Sequence, residues 1–283
     1  MKLIRFGAAG QEKPGILIGE KRFDVSSIVT DYNESFFEEN GLEKLKIALE
    51  GNSFLPEVDA SVRLGSAVAR PSKIICIGLN YVDHCRETNA PIPGEPIIFF
   101  KSTTALCGPN DDVIIPKNSE KTDWEIELAF VVGKKASYVS EADAMDYVAG
   151  YCLHNDYSER AFQLERGGQW AKGKGCDTFA PLGPFMATTD EIENVDNLKM
   201  WLTVNGKTFQ SSNTSNLIFK IPFLVHYLSQ FMTLLPGDVI STGTPPGVGL
   251  GIKPEPVYVK AGDVIELGME GLGSSKQLAV AHK

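Results

Sequence analysis

The sequence contains no C-x-x-C pair, and its five cysteines, Cys76, Cys85, Cys107, Cys152 and Cys176, are scattered along 283 residues. That argues against a disulfide framework or a cysteine zinc site and suits reduced, buried thiols in a cytoplasmic protein. Long apolar runs are also missing. The longest, glycine included, is the seven residues Tyr147–Leu153, against ~20 for a membrane span. No apolar stretch follows Met1-Lys2-Leu3-Ile4-Arg5, so no secretory leader is expected. Basic residues are outnumbered: 27 Lys and Arg against 36 Asp and Glu give a net charge of −9. With a pI near 5.1, the chain is a poor partner for nucleic acid or for an anionic membrane surface. No low-complexity segment occurs. What remains is an ordinary globular mixture, 43% hydrophobic and 22% charged, able to bury a core.

Two units are expected: a small N-terminal α/β domain over 1–68 and a larger domain over 69–283. In the first, Leu3–Phe6, Gly15–Gly19 and Arg22–Val25 read as short strands. Leu42, Leu45 and Leu49 recur at helical spacing, and Gly51 can stop that helix. Arg70-Pro71-Ser72 marks the boundary, because proline pushes its predecessor out of the helical region. The remainder is rich in strands, among them Lys73–Ile77, Pro96–Phe100, Asp112–Ile115 and Trp124–Val132. Asn205-Gly206 predicts a two-residue hairpin turn between Leu198–Val204 and Lys207–Gln210. Two helices stand out. Ser140 with Asp143 resembles a capping arrangement opening 141–148. Pro222 suits the first turn of a helix with Leu224, Val225, Leu228 and Phe231 on one face. Gly-Asp-Val-Ile occurs at 237–240 and 262–265 and reads as two turn-into-strand junctions. The expected class is mostly β with some α (α+β), a twisted β core with few helices and long loops.

The most informative stretch is Asp123-Trp124-Glu125-Ile126-Glu127-Leu128-Ala129-Phe130-Val131. Alternation along a strand puts Asp123, Glu125 and Glu127 on one face, which turns apolar at Ala129 and Val131. Two close carboxylates entering the interior repel and are costly to desolvate unless a cation neutralises them. A solvated polar edge is the alternative. Asp156, following the apolar run Tyr147–Leu153, is a third oxygen ligand. An all-oxygen shell suits Mg²⁺, Mn²⁺ or Ca²⁺ better than zinc. His154 also has same-face spacing with Asp156 and is read as a core or supporting histidine rather than a ligand.

Asn80 is a plausible N-cap for a short helix carrying His84 and Glu87 at i, i+3. A carboxylate beside an imidazole fixes its tautomer and raises its basicity, as a general base requires. An ordinary surface pair has the same spacing. Gly168-x-x-x-x-Gly173-Lys174 imitates a phosphate loop, but Gly175 stands where Ser or Thr should, and prolines break the helix that should follow. Lys174 in this glycine-rich loop can still approach a small anion. Ser241-Thr242-Gly243-Thr244-Pro245-Pro246-Gly247 forms a rigid loop whose Thr244 hydroxyl can bind a carboxylate, or a plain structural turn.

Taken in order, several segments resemble the fumarylacetoacetate hydrolase family. They are Cys76-Ile77-Gly78-Leu79-Asn80-Tyr81-Val82-Asp83-His84, Trp124-Glu125-Ile126-Glu127-Leu128 and Asp156-x-x-x-Arg160-x-x-Gln163. Gly173-Lys174-x-x-Asp177-Thr178-Phe179-x-Pro181-Leu182-Gly183-Pro184 and Pro236-Gly237-Asp238-Val239-Ile240-x-Thr242-Gly243-Thr244-Pro245-x-Gly247-Val248-Gly249 complete the set. The resemblance implies a mixed β-roll core, a homodimer and a divalent metal, Mg²⁺ or Mn²⁺ with Ca²⁺ as a further option. It places the metal on Glu125, Glu127 and Asp156, with Thr178 near it. Catalysis would fall to His84, Glu87 and Lys174, and substrate binding to Arg160, Gln163 and Thr244. The implied substrate is a small oxo acid, with bacterial acylpyruvate and diketo-deoxy-sugar-acid hydrolases as the nearest types. The implied reaction is hydrolysis of a C–C bond with release of pyruvate. Decarboxylation of an oxaloacetate-like acid or keto–enol isomerisation at the same site is the alternative. A metal-stabilised binding protein is the non-enzymatic one. The chain departs from the family at Gly175-Cys176, where Ser-Phe is common, and at Gly167, where an aromatic contact falls in the founding enzyme.

Overall fold

Alternating apolar residues and turn chemistry place most of the strands in two large sheets, seen in a computed structural model that describes residues 1–51, 54–88 and 91–283. The larger has ten strands. From one edge they run Glu57–Val58, Lys21–Asp24, Lys13–Ile18, Lys2–Phe6, Met186–Thr188, Val148–Asn155, Ile126–Val132, Val239–Ser241, Ile74–Gly78 and Ile97–Lys101. All pairings are antiparallel except that of Val239–Ser241 with Ile74–Gly78. The smaller sheet runs Lys207–Asn213, Lys199–Val204, Val264–Met269, Gly273–Ala281 and Val113–Ile115. The architecture is thus mostly β with short helices, as the sequence implies. The first four strands extend the same sheet as the rest, joined through Lys2–Phe6 and Met186–Thr188.

The central strand Ile126–Val132 is buried on both faces. Ile126, Leu128, Phe130 and Val132 face the main core, while Ala129 and Val131 face a second core. Helices Glu34–Glu38 and Gly41–Glu50 close that second core with Phe36, Phe37 and Leu45. A strand covered on both sides reads as an almost unbroken apolar run. Any carboxylate at its end therefore starts inside the protein.

Several local expectations hold. Asn205 and Gly206 take the left-handed conformations of a two-residue hairpin turn. Gly237 and Gly262 take positive φ at the two Gly-Asp-Val-Ile junctions, each leading into a strand. Pro222 lies in the first turn of helix Ile221–Phe231, and Leu224, Val225 and Leu228 are buried.

Others need correction. Phe231 is exposed rather than on the buried face, because it stands at the helix end. The 141–148 helix is only a 3₁₀ turn over Ala144–Tyr147. Ser140 and Asp143 do bond each other, but strand pairing with Ile126–Val132 claims the chain from Val148 onward. Asn80 does not cap the helix Val82–Thr88. Its side chain is spent on Phe219 O, Thr242 O and Phe219 N–H, tying three remote segments together.

Candidate active site

The ladder between Ile126–Val132 and Val148–Asn155 ends at the pair Ile126 and Asn155. Just beyond it, Asp156 N–H donates to Glu125 O at 2.9 Å and Glu125 N–H to Asn155 Oδ1 at 3.0 Å. The strand ends therefore deliver Glu125 and Asp156 side by side, with Glu127 two residues further in. One carboxylate oxygen from each of the three lies within 4.8 Å of the others, and all three residues are buried. The carboxylates expected to share a site do share one.

Three cations reach two of these carboxylates. Lys174 Nζ lies 2.6 Å from Glu125 Oε2 and 2.9 Å from Asp156 Oδ2. Arg160 Nη2 lies 2.6 Å from Glu125 Oε1, and Lys101 Nζ 2.5 Å from Asp156 Oδ1. Among the described residues no cation contacts Glu127. Its Oε2 accepts from the Ser241 hydroxyl and from Gly243 N–H, and its Oε1 accepts from none of the described residues. The electrostatics follow. Burial and the neighbouring Asp156 and Glu125 push the Glu127 carboxyl well above its usual range. Burial raises Asp156 too, but Lys101 and Lys174 more than offset it and hold it low. Burial would lower Lys174, yet Asp156 and Glu125 raise it, so its ammonium stays charged. Three convergent carboxylates on buried residues, one of them without a cation in contact among the described residues, fit a hard divalent cation.

Lys174 owes its place to a close approach. A Cβ at Gly173 would stand 2.4 Å from Glu159 O, so only glycine lets the turn Ala171–Lys174 pack onto the segment before it. Although residues 166–169 of the loop are exposed, Lys174 itself is 2% exposed and its ammonium is spent on carboxylates, not on a phosphate.

His84 and Glu87 lie on the helix Val82–Thr88, with His84 Nδ1 3.2 Å from Glu87 Oε2. Gly247 N–H donates to the Glu87 carboxylate at 3.2 Å. Gly247 has a φ of +99°, and a Cβ there would stand 1.9 Å from Phe209 O. The dyad and the carboxylate end of the site line one cavity of about 450 Å³, in the range of small-molecule sites. Leu79, Phe99, Trp170, Val248 and Leu250 supply its apolar wall.

The other expected residues divide. Arg160 and Gln163 line the cavity. Arg160 Nε also donates to Asp123 Oδ2 at 2.8 Å, and its Nη1 to Gln163 Oε1 at 3.0 Å. Thr244 lines it as well, but its hydroxyl donates to Ile126 O at 2.9 Å and accepts from Gln210 Nε2 at 2.8 Å. That hydrogen is already committed to the backbone. Thr178 does not line this cavity. It faces a second one beside Arg63 and Asp111, and its hydroxyl accepts from Ile114 N–H at 2.8 Å. His154 is not among the converging ligands. Burial pushes its pKa down to about 3, so it is neutral.

Two residues of the site escaped sequence reasoning. Asp123 accepts from Arg160, Gly249 N–H and Leu250 N–H, so it anchors both a cavity-lining cation and a wall loop. Lys101 had a legible signal: it alternates with exposed Phe100 and shares the inward face of Phe99. A lysine on a buried face calls for a carboxylate partner.

The model of the fumarylacetoacetate (FAA) hydrolase C-terminal family matches residues 73–278. A Burkholderia multivorans protein, described only in general terms as a candidate hydrolase, is 53% identical over 284 residues, 100% of both chains. The structure of fumarylacetoacetate hydrolase from the psychrophile Exiguobacterium antarcticum superposes with a TM-score of 0.85 at 31% identity, covering 100% of each chain. Maleylpyruvate hydrolase from Sphingobium sp. SYK-6, in complex with manganese(II) and pyruvate, does so with a TM-score of 0.81 at 29% identity, again covering 100% of each.

Proposed function

Because the chain belongs to the fumarylacetoacetate hydrolase family, we propose that it is a divalent-metal-dependent hydrolase of a 2,4-dioxo acid that cleaves a C–C bond and releases pyruvate. The observation that carries this reading is that the Glu125 and Glu127 carboxylates and the His84–Glu87 pair line one cavity, with the Asp156 carboxylate converging on the two glutamates behind its wall. A Mg²⁺ or Mn²⁺ ion held by the three carboxylates would supply Lewis acidity toward the oxo and carboxylate oxygens of such an acid. The manganese and pyruvate bound to the Sphingobium enzyme support that assignment.

The chain's own residues do the rest. Glu87, held by Gly247 N–H, orients the His84 imidazole. His84 takes a proton from water, and the resulting hydroxide attacks the distal carbonyl. The C–C bond breaks with its electron pair on the pyruvate fragment, an enolate. The Lys174 ammonium, charged and cavity-lining, faces that negative charge. The His84 proton then returns to the enolate carbon, giving pyruvate and a carboxylic acid. Arg160 and the Gln163 amide hold the substrate's oxygens. The apolar wall excludes water from the acyl part. The working form is a homodimer.

The test is a screen of 2,4-dioxo acids and oxaloacetate with Mg²⁺ or Mn²⁺, assayed for pyruvate in ¹⁸O water. Label is expected in the carboxylate of the non-pyruvate product, and chelation should abolish turnover. Release of CO₂ without label would make the protein a decarboxylase, and an unchanged carbon count an isomerase. Turnover untouched by replacing His84 would remove the base from the mechanism.

A further inference from the structure

The strand register sets Glu127 opposite His154, and Ala129 opposite Ser241. Side chains alternate across a sheet, so Glu127, His154 and Ser241 stand on one face of three adjacent strands. There they form a chain. His154 Nδ1 lies 2.7 Å from Ser241 Oγ, and the Ser241 hydroxyl makes a short hydrogen bond to Glu127 Oε2. All three residues are buried.

The chain has one direction. With a cation held, Glu127 is an ionised carboxylate that only accepts, so the single Ser241 hydrogen then points to Glu127. The Ser241 oxygen must then accept from His154, which places the imidazole proton on Nδ1. His154 Nε2 is left as a bare lone pair. It is the one buried side-chain polar atom without a hydrogen-bond partner among the described residues. With the proton on Nε2 instead, a buried N–H would be orphaned, and Nδ1 would compete with Glu127 for the Ser241 hydrogen.

We propose that His154 is a positioning residue for the metal centre: its Nδ1–H locks the Ser241 hydroxyl onto Glu127 Oε2, which leaves Oε1 as the oxygen offered to the cation. The inference rests on the metal reading above and deepens it. Glu125 and Asp156 are steered by ammonium and guanidinium partners, whereas Glu127 depends on two neutral donors, Ser241 and Gly243 N–H at 2.9 Å. Without His154 the Ser241 hydroxyl is free to rotate away. Supporting hydrogen bonds of this kind are worth about 10–100-fold in metal affinity.

The experiment is Mn²⁺ titration calorimetry on the chelator-stripped full chain. His154→Leu keeps the volume and removes the donor, while His154→Asn can place an N–H near the Nδ1 position. His154→Leu and Ser241→Ala are each expected to weaken Mn²⁺ binding about tenfold, with little further loss when combined. His154→Asn should retain most of the affinity. Wild-type affinity in His154→Leu, or no advantage of Asn over Leu, overturns the role of His154 and leaves the metal reading standing. A wild-type chain that binds no divalent cation overturns both. Should His154→Leu not fold, ¹⁵N spectra of histidine-labelled wild-type protein decide the matter directly. The Nδ1–H tautomer is expected, and an Nε2–H tautomer refutes the lock.

Discussion

Lys101 Nζ stands 2.5 Å from Asp156 Oδ1, and neither side chain has any exposure to solvent. The same ammonium donates to Tyr157 O at 2.9 Å. Lys101 therefore neutralises the side of Asp156 that Lys174 does not reach.

Breaking that pair should be costly, because removing one partner of a buried ion pair strands the other. Lys101→Met is expected to destabilise the protein by about 3 kcal/mol, reduced from the upper range because Lys174 still contacts Asp156. Urea denaturation checks this, and a loss under about 1 kcal/mol would contradict the buried-charge account.

The His84–Glu87 pair should separate from the metal site in its effects. His84→Ala is expected to lower kcat by about 10²–10⁴. Glu87→Gln should cost less, since it acts through His84. Neither should alter Mn²⁺ affinity, because neither residue is among the converging carboxylates. Steady-state kinetics beside metal titration tests the split. Loss of metal in either variant would merge roles that the geometry keeps apart.

Glu127→Gln should move stability and metal binding in opposite directions. The carboxyl is buried with no cation contact among the described residues, and burial with carboxylate repulsion raises its pKa. Gln removes the charge while its carbonyl can still accept from Ser241 and Gly243. The metal-free protein should therefore melt no lower than wild type, and Mn²⁺ binding should be lost. Differential scanning calorimetry with and without Mn²⁺ reads both effects.

Arg63 ties the N-terminal segment to the rest of the chain, pairing with Glu12 at 2.9 Å and Asp111 at 2.6 Å. Burial raises Glu12, but the hydrogen bond from Arg63 helps bring it below its ordinary 4.5. A carboxyl held low in the folded state adds stability above its unfolded pKa and loses it as pH falls through the folded value. Arg63→Met should thus cost about 1–2 kcal/mol at pH 7. The gap from wild type should shrink below pH ~4.5. Equal gaps at neutral and acid pH in urea titrations would refute the linkage.

The readable parts of this protein are those set by covalent periodicity. Glu125 and Glu127 share a face because strand side chains alternate, and the apolar residues beyond them announce burial. Asn205-Gly206 turns where its backbone preferences say it must, and Pro222 opens the helix that its fixed φ favours. The His84–Glu87 pair is legible as one helical turn, though the same spacing fits a surface pair.

What the tertiary structure decided is which distant groups meet. Ser241 reaches Glu127 across 114 residues and His154 across 87. No local spacing encodes either contact. Thr244 looked free to bind a carboxylate until packing brought Ile126 O to its hydroxyl. Thr178 was carried to a different cavity, and Asn80 was drawn from a helix cap to two remote segments. The Ser140–Asp143 cap formed but could not propagate a helix, because strand pairing from Val148 onward claims the same backbone. Periodicity tells which side chains share a surface. Hydrogen-bond partners depend on the approach of separate strands, and that is settled only when the two cores close around Ile126–Val132.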